Sequence, residues 1–335
     1  VFASDAISST AYATEEILHV LVPVAADDAL ESLVPISLIV MAMLLVVVTS
    51  YRQTIHAYPT GGSSYVVSRE NLGEKPSLVA GASVLVDYVL TVAVSISAGV
   101  AAITSAAEGL RPYRVELCLA FIALLALANL RGLKESGTVF AIPTYVYIIT
   151  LGALIVWGLV RVFSGDLQPL APVAERYDEF TGGAFSNGGL GGVSAFLLMR
   201  AFSSGAVALT GVEAISNGVP AFKRPESRNA ARTLTVMAAI LGAYFFGISV
   251  LAHRIQPTLS EEETVLSLLG GAVFGEGSVL YYVLQVATMA ILLLAANTAF
   301  ADFPRIASIL AKDGYLPRQM HNRGDRLVFS NGLLA

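Results

Sequence analysis

Long stretches with almost no charge alternate along this chain with short clusters of charged residues. The stretches run to about 20 residues, the length at which an α-helix crosses the hydrocarbon core of a bilayer. They are apolar all round, whereas a soluble helix carries an apolar stripe on one face. The pattern predicts eight spans: Val1–Val22, Leu33–Ser50, Ser77–Ala107, Val115–Leu130, Gly137–Phe163, Gly192–Phe222, Ala230–Ala252 and Ser278–Ala301. A ninth starts near Leu327.

Two spans carry polar residues in their middles. The first contains Ser4-Asp5-Ala6-Ile7-Ser8-Ser9-Thr10; the sixth contains Ser203-Ser204-Gly205, Thr210-Gly211-Val212-Glu213 and Ser216-Asn217-Gly218. Such segments predict unwound backbone, which a membrane tolerates only where it is buried in protein or lines a cavity. The breaks lie five spans apart, as in a five-helix unit repeated with inverted topology. That arrangement sets a binding site at mid-membrane between the broken helices. Residues 1–163 are then the first repeat, 164–190 an extracellular loop, and 191–335 an incomplete second repeat with spans six to eight and the start of nine. The chain starts inside an apolar segment without methionine and stops as another apolar run begins, so it reads as a fragment.

Composition agrees with an all-α integral membrane protein. Apolar residues make up 55% and charged residues 13%, and a soluble domain carries roughly twice that charge. No basic stripe with interleaved aromatics points to nucleic acid. The single cysteine, Cys118, cannot form an intramolecular disulfide and reads as a small buried hydrophobe. No Cys/His spacing suggests zinc, no P-loop suggests ATP hydrolysis, and no nucleophile–base pair suggests an enzyme. No cofactor is expected.

The 20 Lys and Arg residues orient the array. Fourteen fall in one set of loops: Arg52, Arg69, Lys75, Arg131, Lys134, Lys223, Arg224, Arg228, Arg232, Arg305, Lys312, Arg318, Arg323 and Arg326. Five fall in the other (Arg111, Arg114, Arg161, Arg176 and Arg254), and Arg200 lies inside the sixth span, where snorkelling outward or pairing with an acid is expected. The fourteen-residue side is expected in the cytoplasm, with the N-terminus. The opposite loops are acidic, with Asp27, Asp28, Glu31, Asp178, Glu179 and Glu261–Glu263. Tyr51, Tyr58 and Tyr65 read as interfacial anchors, Asn297 as interhelical glue, and Glu15, Glu16 and His19 as the lining of the outer mouth.

A carboxylate at a helix centre in the membrane costs about 2.5–3.5 kcal/mol on insertion scales. Three stand out: Asp5 at the first break, Asp87 in the third span and Glu213 after the sixth-span glycine. Asp5, Ser8 or Ser9, and Tyr12 share a face wherever that segment is helical. Asp87, Thr91 and Ser95 are spaced i, i+4, i+8, with Tyr88 beside them, and Thr210 precedes Glu213 by three. Carboxylates among hydroxyls and free carbonyls suit a hard monovalent cation, whose water shell such oxygens replace. Three negative charges over-neutralise one such ion, so at least one carboxyl is expected to carry a proton in some state. Glu213 is the expected proton carrier, and Asp5 and Asp87 the ion ligands. Plainer readings stand beside these. Asp5 as a helix N-cap is one, and Asp87 near the end of its span is another. Glu213 also reads as an acid bonded to amides freed at the break, and Thr91 and Ser95 as hydroxyls bonded to preceding carbonyls.

Four stretches carry a resemblance: Ser4 to Glu16; Tyr51-Arg52-Gln53-Thr54-Ile55 with Tyr58-Pro59-Thr60-Gly61-Gly62; Asp87 to Ser95; and Thr210 to Gly218. They resemble the KimA-type potassium importers of the amino acid–polyamine–organocation (APC) superfamily, akin to the KUP potassium transporters. The resemblance implies a LeuT-like inverted five-helix repeat with two added helices. It also implies K⁺ uptake coupled to protons across a bacterial cell membrane, and a homodimer formed through a C-terminal cytoplasmic domain that this chain lacks. It carries ion-site roles onto Asp5, Tyr12, Asp87, Tyr88, Thr91, Ser95, Thr210 and Glu213. Its partners are the lipid bilayer and a monovalent cation. Two rivals remain: an amino acid or polyamine permease of the same superfamily, and a transport-fold receptor that moves nothing.

Overall fold

The computed structural model describes residues 2–25, 27–59, 61, 63–131, 137–167, 194–257, 259–260 and 262–321, and every regular element among them is a helix. The first predicted span is two helices, α1 (Phe2–Ser8) and α2 (Ala13–Ala25), joined by a 3-10 turn over Ser9–Ala11. The hydroxyls there serve the interrupted backbone. Ser8 Oγ donates to Asp5 O (2.6 Å), Ser9 Oγ to Ala6 O (2.7 Å) and Thr10 Oγ1 to Ile7 O (2.7 Å). An unwound turn persists in an apolar surround when its polar groups are answered in this way.

The chain continues through α3 (Asp27–Ala57), α4 (Ser64–Leu72), α5 (Glu74–Ala106), α6 (Arg114–Leu130) and α7 (Gly137–Phe163). The sixth span is again divided, into α8 (Ala195–Gly205), a 3-10 turn over Ala206–Leu209 and α9 (Glu213–Asn217). Then follow α10 (Glu226–Ile255), α11 (Val265–Phe274) and α12 (Val279–Lys312). Among the described residues, seven helical segments are long and apolar enough to cross a membrane, and they coincide with predicted spans two to eight. The first is cut by its break into halves too short to count. The predicted ninth start at Leu327 and most of the 164–190 loop lie outside the described residues.

Two long pairings frame the molecule: α5 lies along α12, and α3 along α10. The broken spans pack on each other and on these pairs, α2 against α8 and α3, and α1 against α12 and α10. Ile17, Leu18, Leu21, Leu33, Leu151 and Phe245 are buried in the shared core. By contrast α6 buries no residue and exposes Val115, Leu119, Leu124 and Leu127, a surface suited to lipid chains.

Contacts between helix ends define two faces. On one, Arg69 of α4 pairs with Asp313 after α12, and the Tyr315 hydroxyl donates to Glu74. On the other, Arg111 pairs with Glu262 (2.6 Å) and Glu263 (3.3 Å), while Arg161 donates to the Val273 carbonyl (2.8 Å). The first face carries the basic cluster of the sequence and the second the acidic one.

The eighth span runs to Lys312, well past its predicted end at Ala301. Apolar spacing continues through Phe303, Ile306 and Leu310, and the charges at Asp302 and Arg305 pair across one turn (2.7 Å) instead of ending the helix. Neither α4 nor α11 was foreseen. Each is too short to span and is started by a hydroxyl cap: Ser63 Oγ accepts from Val66 N (3.3 Å), and Thr264 Oγ1 from Ser267 N (3.1 Å). Tyr65 is no interfacial anchor. It is buried, and its hydroxyl donates to Asp313 Oδ2 (2.7 Å). Arg200 is exposed, and Asn297 Oδ1 accepts from Asn129 Nδ2 (2.8 Å), joining α6 to α12.

Candidate functional site

The two breaks meet at Gly211. Its φ is +77°, and a Cβ there would stand 2.7 Å from Asp5 Cγ and 2.7 Å from Ala6 N. Only glycine combines that dihedral with so close an approach. The second break therefore lies directly on the Asp5 side chain. Ser9 fastens the same junction, its Oγ lying 3.2 Å from Ala208 O as well as bonding within its own turn.

Asp5 is 5% exposed and lies within α1, so it is not an N-cap. Glu213, Asp302 and Asp87 are all within its electrostatic reach. Glu213 opens α9, with the backbone N–H groups of Gly211 and of Glu213 itself near its carboxylate. The same carboxylate also lies in the field of Asp87 and Asp302. Tyr12, at the end of the first break, is buried, with the Thr210 side chain near its hydroxyl. Thr210 Oγ1 donates to Val207 O (2.8 Å), which leaves its oxygen lone pairs available to a ligand.

The third span supplies the opposite wall. Asp87 lies 13 residues into α5, about 20 Å from its start at 1.5 Å per residue, and is half-buried. That depth is well inside the helix. Tyr88 is buried, and its hydroxyl accepts from Asn217 Nδ2 at 3.3 Å, tying α5 to α9. Thr91 and Ser95 follow Asp87 at one-turn intervals. Among the described residues, neither hydroxyl hydrogen-bonds to the broken helices. Ser95 Oγ is buried without a hydrogen-bond partner, as is Ser216 Oγ in α9. A buried hydroxyl left unpaired is costly, and an oxygen of that kind is suited to a ligand.

The structure thus brings Asp5, Tyr12, Thr210 and Glu213 to one junction, with Asp87 and Tyr88 in its field. It adds two residues the sequence pattern missed. Asp302 falls just outside the predicted eighth span, whose end at Ala301 lies eleven residues short of the helix end at Lys312. Tyr51, which reads from the sequence as an interfacial anchor, is half-buried, in the field of Glu213 and Asp87 and near Ser64. The signal for Asp302 was its i, i+3 relation to Arg305 within continuing apolar spacing. For Tyr51 no signal in the local sequence separates it from Tyr58.

On the acidic face, Glu15 Oε2 accepts from Val265 N (3.2 Å), and Glu15 lies 3.6 Å from His19. Glu16 accepts from Ser204 Oγ (3.4 Å). Beyond the break, Thr10 and Tyr147 share a hydrogen bond (2.9 Å), as do Thr14 and Ser249 (3.1 Å). An otherwise apolar interior is thus held by polar contacts around the first span. Among the described residues no group of three or more His, Cys, Asp and Glu could hold a metal ion.

The model of the amino acid permease family matches residues 1–335. The chain belongs to that family. This permease-family chain is 48% identical over 341 aligned positions to the potassium transporter KimA of Bacillus subtilis, an alignment that takes in all of this chain and 53% of the relative. The chain spans about half the length of that curated relative. Family and relative are both transport proteins, in keeping with the seven apolar helices among the described residues and with a multi-pass membrane protein.

Proposed function

We propose that the chain is the membrane part of a secondary active transporter that takes up K⁺ together with H⁺ by alternating access. The observation that carries this reading is the packing of the Gly211 break on Asp5, with Tyr12 and Thr210 beside it and Glu213 and Asp87 in the same field. Carboxylate and hydroxyl oxygens of this kind replace the water shell of a hard monovalent cation. In the mechanism proposed, Asp5, Tyr12, Thr210 and Asp87 bind the ion, with Thr91, Ser95 and Tyr88 on the third span. Glu213 takes the proton, because a site crowded with carboxylates disfavours ionising all of them at once. Residues 1–163 and 191–335 act as inverted repeats that rock about this site, with the basic face in the cytoplasm of a bacterial cell. The whole protein is proposed to form a homodimer.

The potassium transport of the KimA relative supports K⁺ as the ion. A second reading, an amino acid or polyamine permease, is favoured by the family model. Against a free amino acid stands Asp5, which repels a substrate carboxylate at the junction where the two breaks meet.

The test is uptake of K⁺ or Rb⁺ by cells that lack their own potassium transport. Restored growth at low potassium, with no competition from amino acids or polyamines, is expected; uptake blocked by an organic cation instead would favour the second reading. Glu213→Gln is expected to remove the dependence of uptake on the proton gradient. Full proton dependence in that variant would assign the proton to another group.

A further inference from the structure

On the basic face, beneath the junction, lies a cavity of about 180 Å³. Its polar lining is Ser63, Tyr88, Asn217, Asp302 and Arg305, and Gly61 closes it from the loop before α4. Gly61 has a φ of +92°, and a Cβ there would lie 2.8 Å from the Asn217 carbonyl oxygen, so the loop sits tightly over the end of α9. The cavity therefore reaches from the inner wall of the carboxylate junction, at Tyr88 and Asn217, to the exposed guanidinium of Arg305.

Asp302 and Arg305 are unequal partners. The Asp302 side chain is 9% exposed and that of Arg305 is 61% exposed, yet Arg305 Nη1 lies 2.7 Å from Asp302 Oδ1. A buried carboxylate is costly unless it is neutralised, and removing its partner leaves an uncompensated charge. Arg305 supplies the neutralising charge from the same helix while its long side chain keeps access to water. Asp302 also lies in the field of Asp5, Glu213 and Tyr88. Of the cluster's carboxylates, it is Asp302 that lines this cavity.

We propose that Asp302 is the release station of the transport path and that Arg305 is its tethered counter-ion. This inference rests on the cation-transport reading above. A monovalent cation leaving the junction passes Tyr88 and Asn217 and enters the cavity. There Asp302 Oδ, the Tyr88 hydroxyl, the Asn217 side-chain carbonyl and the Ser63 hydroxyl offer oxygens. The cation and the guanidinium compete for one carboxylate. Arg305 swings to water as the cation arrives, and its return expels the ion and leaves Asp302 neutralised. The exchange conserves charge at Asp302, which is never left buried and bare, and so flattens the barrier to release. Fixed carboxylate wells without such a competitor hold an ion too firmly for conduction, which needs binding weak enough to leave.

The experiment is Rb⁺ uptake by the protein in cells lacking their own potassium transport, with KM and Vmax measured for wild type, Asp302→Asn, Arg305→Gln and Arg305→Lys. Amounts in the membrane and melting temperatures of the purified variants are measured alongside. Asp302→Asn is expected to lower Vmax by about tenfold with KM within about twofold of wild type, since the entry-side ligands are intact. Arg305→Gln is expected to lower Vmax and KM together, the signature of slowed release, and Arg305→Lys to restore most of both. A folded Asp302→Asn with wild-type Vmax overturns the proposal. So does a rise in KM that accounts for the whole loss, since Asp302 would then act in binding at the junction. If Asp302→Asn does not fold, the two Arg305 variants decide: a KM unchanged in Arg305→Gln, or no rescue by lysine, overturns it. Wild-type protein that moves no Rb⁺ sinks the transport reading itself, whereas wild-type kinetics in all three variants sink only the release station.

Discussion

At Gly211 one residue sets the geometry on which the site depends. With φ at +77° and the Asp5 carboxyl carbon 2.7 Å from a would-be Cβ, an alanine meets both backbone strain and a clash. Strain of that kind costs about 1–3 kcal/mol. Gly211→Ala is therefore expected to lower the melting temperature of the purified protein and to abolish uptake. Gly109→Ala, where an added Cβ meets nothing within 4 Å, is expected to leave both unchanged. Asp5, Glu213 and Gly211 were legible in the sequence because charge and glycine in an apolar span are expensive and conspicuous. Asp302 and Tyr51 were not. Asp302 resembles the ordinary charge at a helix end until its neighbours Phe303 and Ile306 are seen to continue the buried face, and Tyr51 turns inward only because α3 packs beside the second break.

At the scale of elements, the two broken helices were visible in composition, since hydroxyls and glycines in mid-span have few other uses in a membrane. Their detailed construction was not. The serines and threonines of the first break donate to carbonyls of their own turn, so much of that polarity sustains the unwound backbone and does not line a site. The short helices α4 and α11 escaped because a nine- or ten-residue helix leaves no span-length signature. Pairing between long helices uses polar contacts sparingly. Asn129 and Asn297 make one of them, between α6 and α12. Side-chain hydrogen bonds in a bilayer are worth about 0.6 kcal/mol on average. A double-mutant cycle of Asn129→Ala and Asn297→Ala, read by unfolding in a lipid-like medium, is expected to give a coupling of that order. A coupling of zero would assign the contact no role in holding α6.

For the whole molecule, the proposed orientation rests on which loops hold the basic residues; among the described residues, Arg69 pairs with Asp313 on the face where Tyr315 donates to Glu74. In a Cys118→Ser background, Glu276→Cys on the acidic face is expected to react with a membrane-impermeant thiol reagent applied to cells. Lys312→Cys on the basic face is expected to react only after the membrane is opened. The reverse pattern would invert the assignment of entry and release sides. Beyond orientation, the account depends on one claim: the junction of the two breaks with the third span is where the cation binds. Rubidium scatters anomalously, so a structure of the protein determined with Rb⁺ locates the ion directly. The account predicts an anomalous peak among the oxygens of Asp5, Tyr12, Thr210 and Asp87, lost in Asp5→Asn. A peak elsewhere in the membrane region, or one that persists in Asp5→Asn, would contradict it.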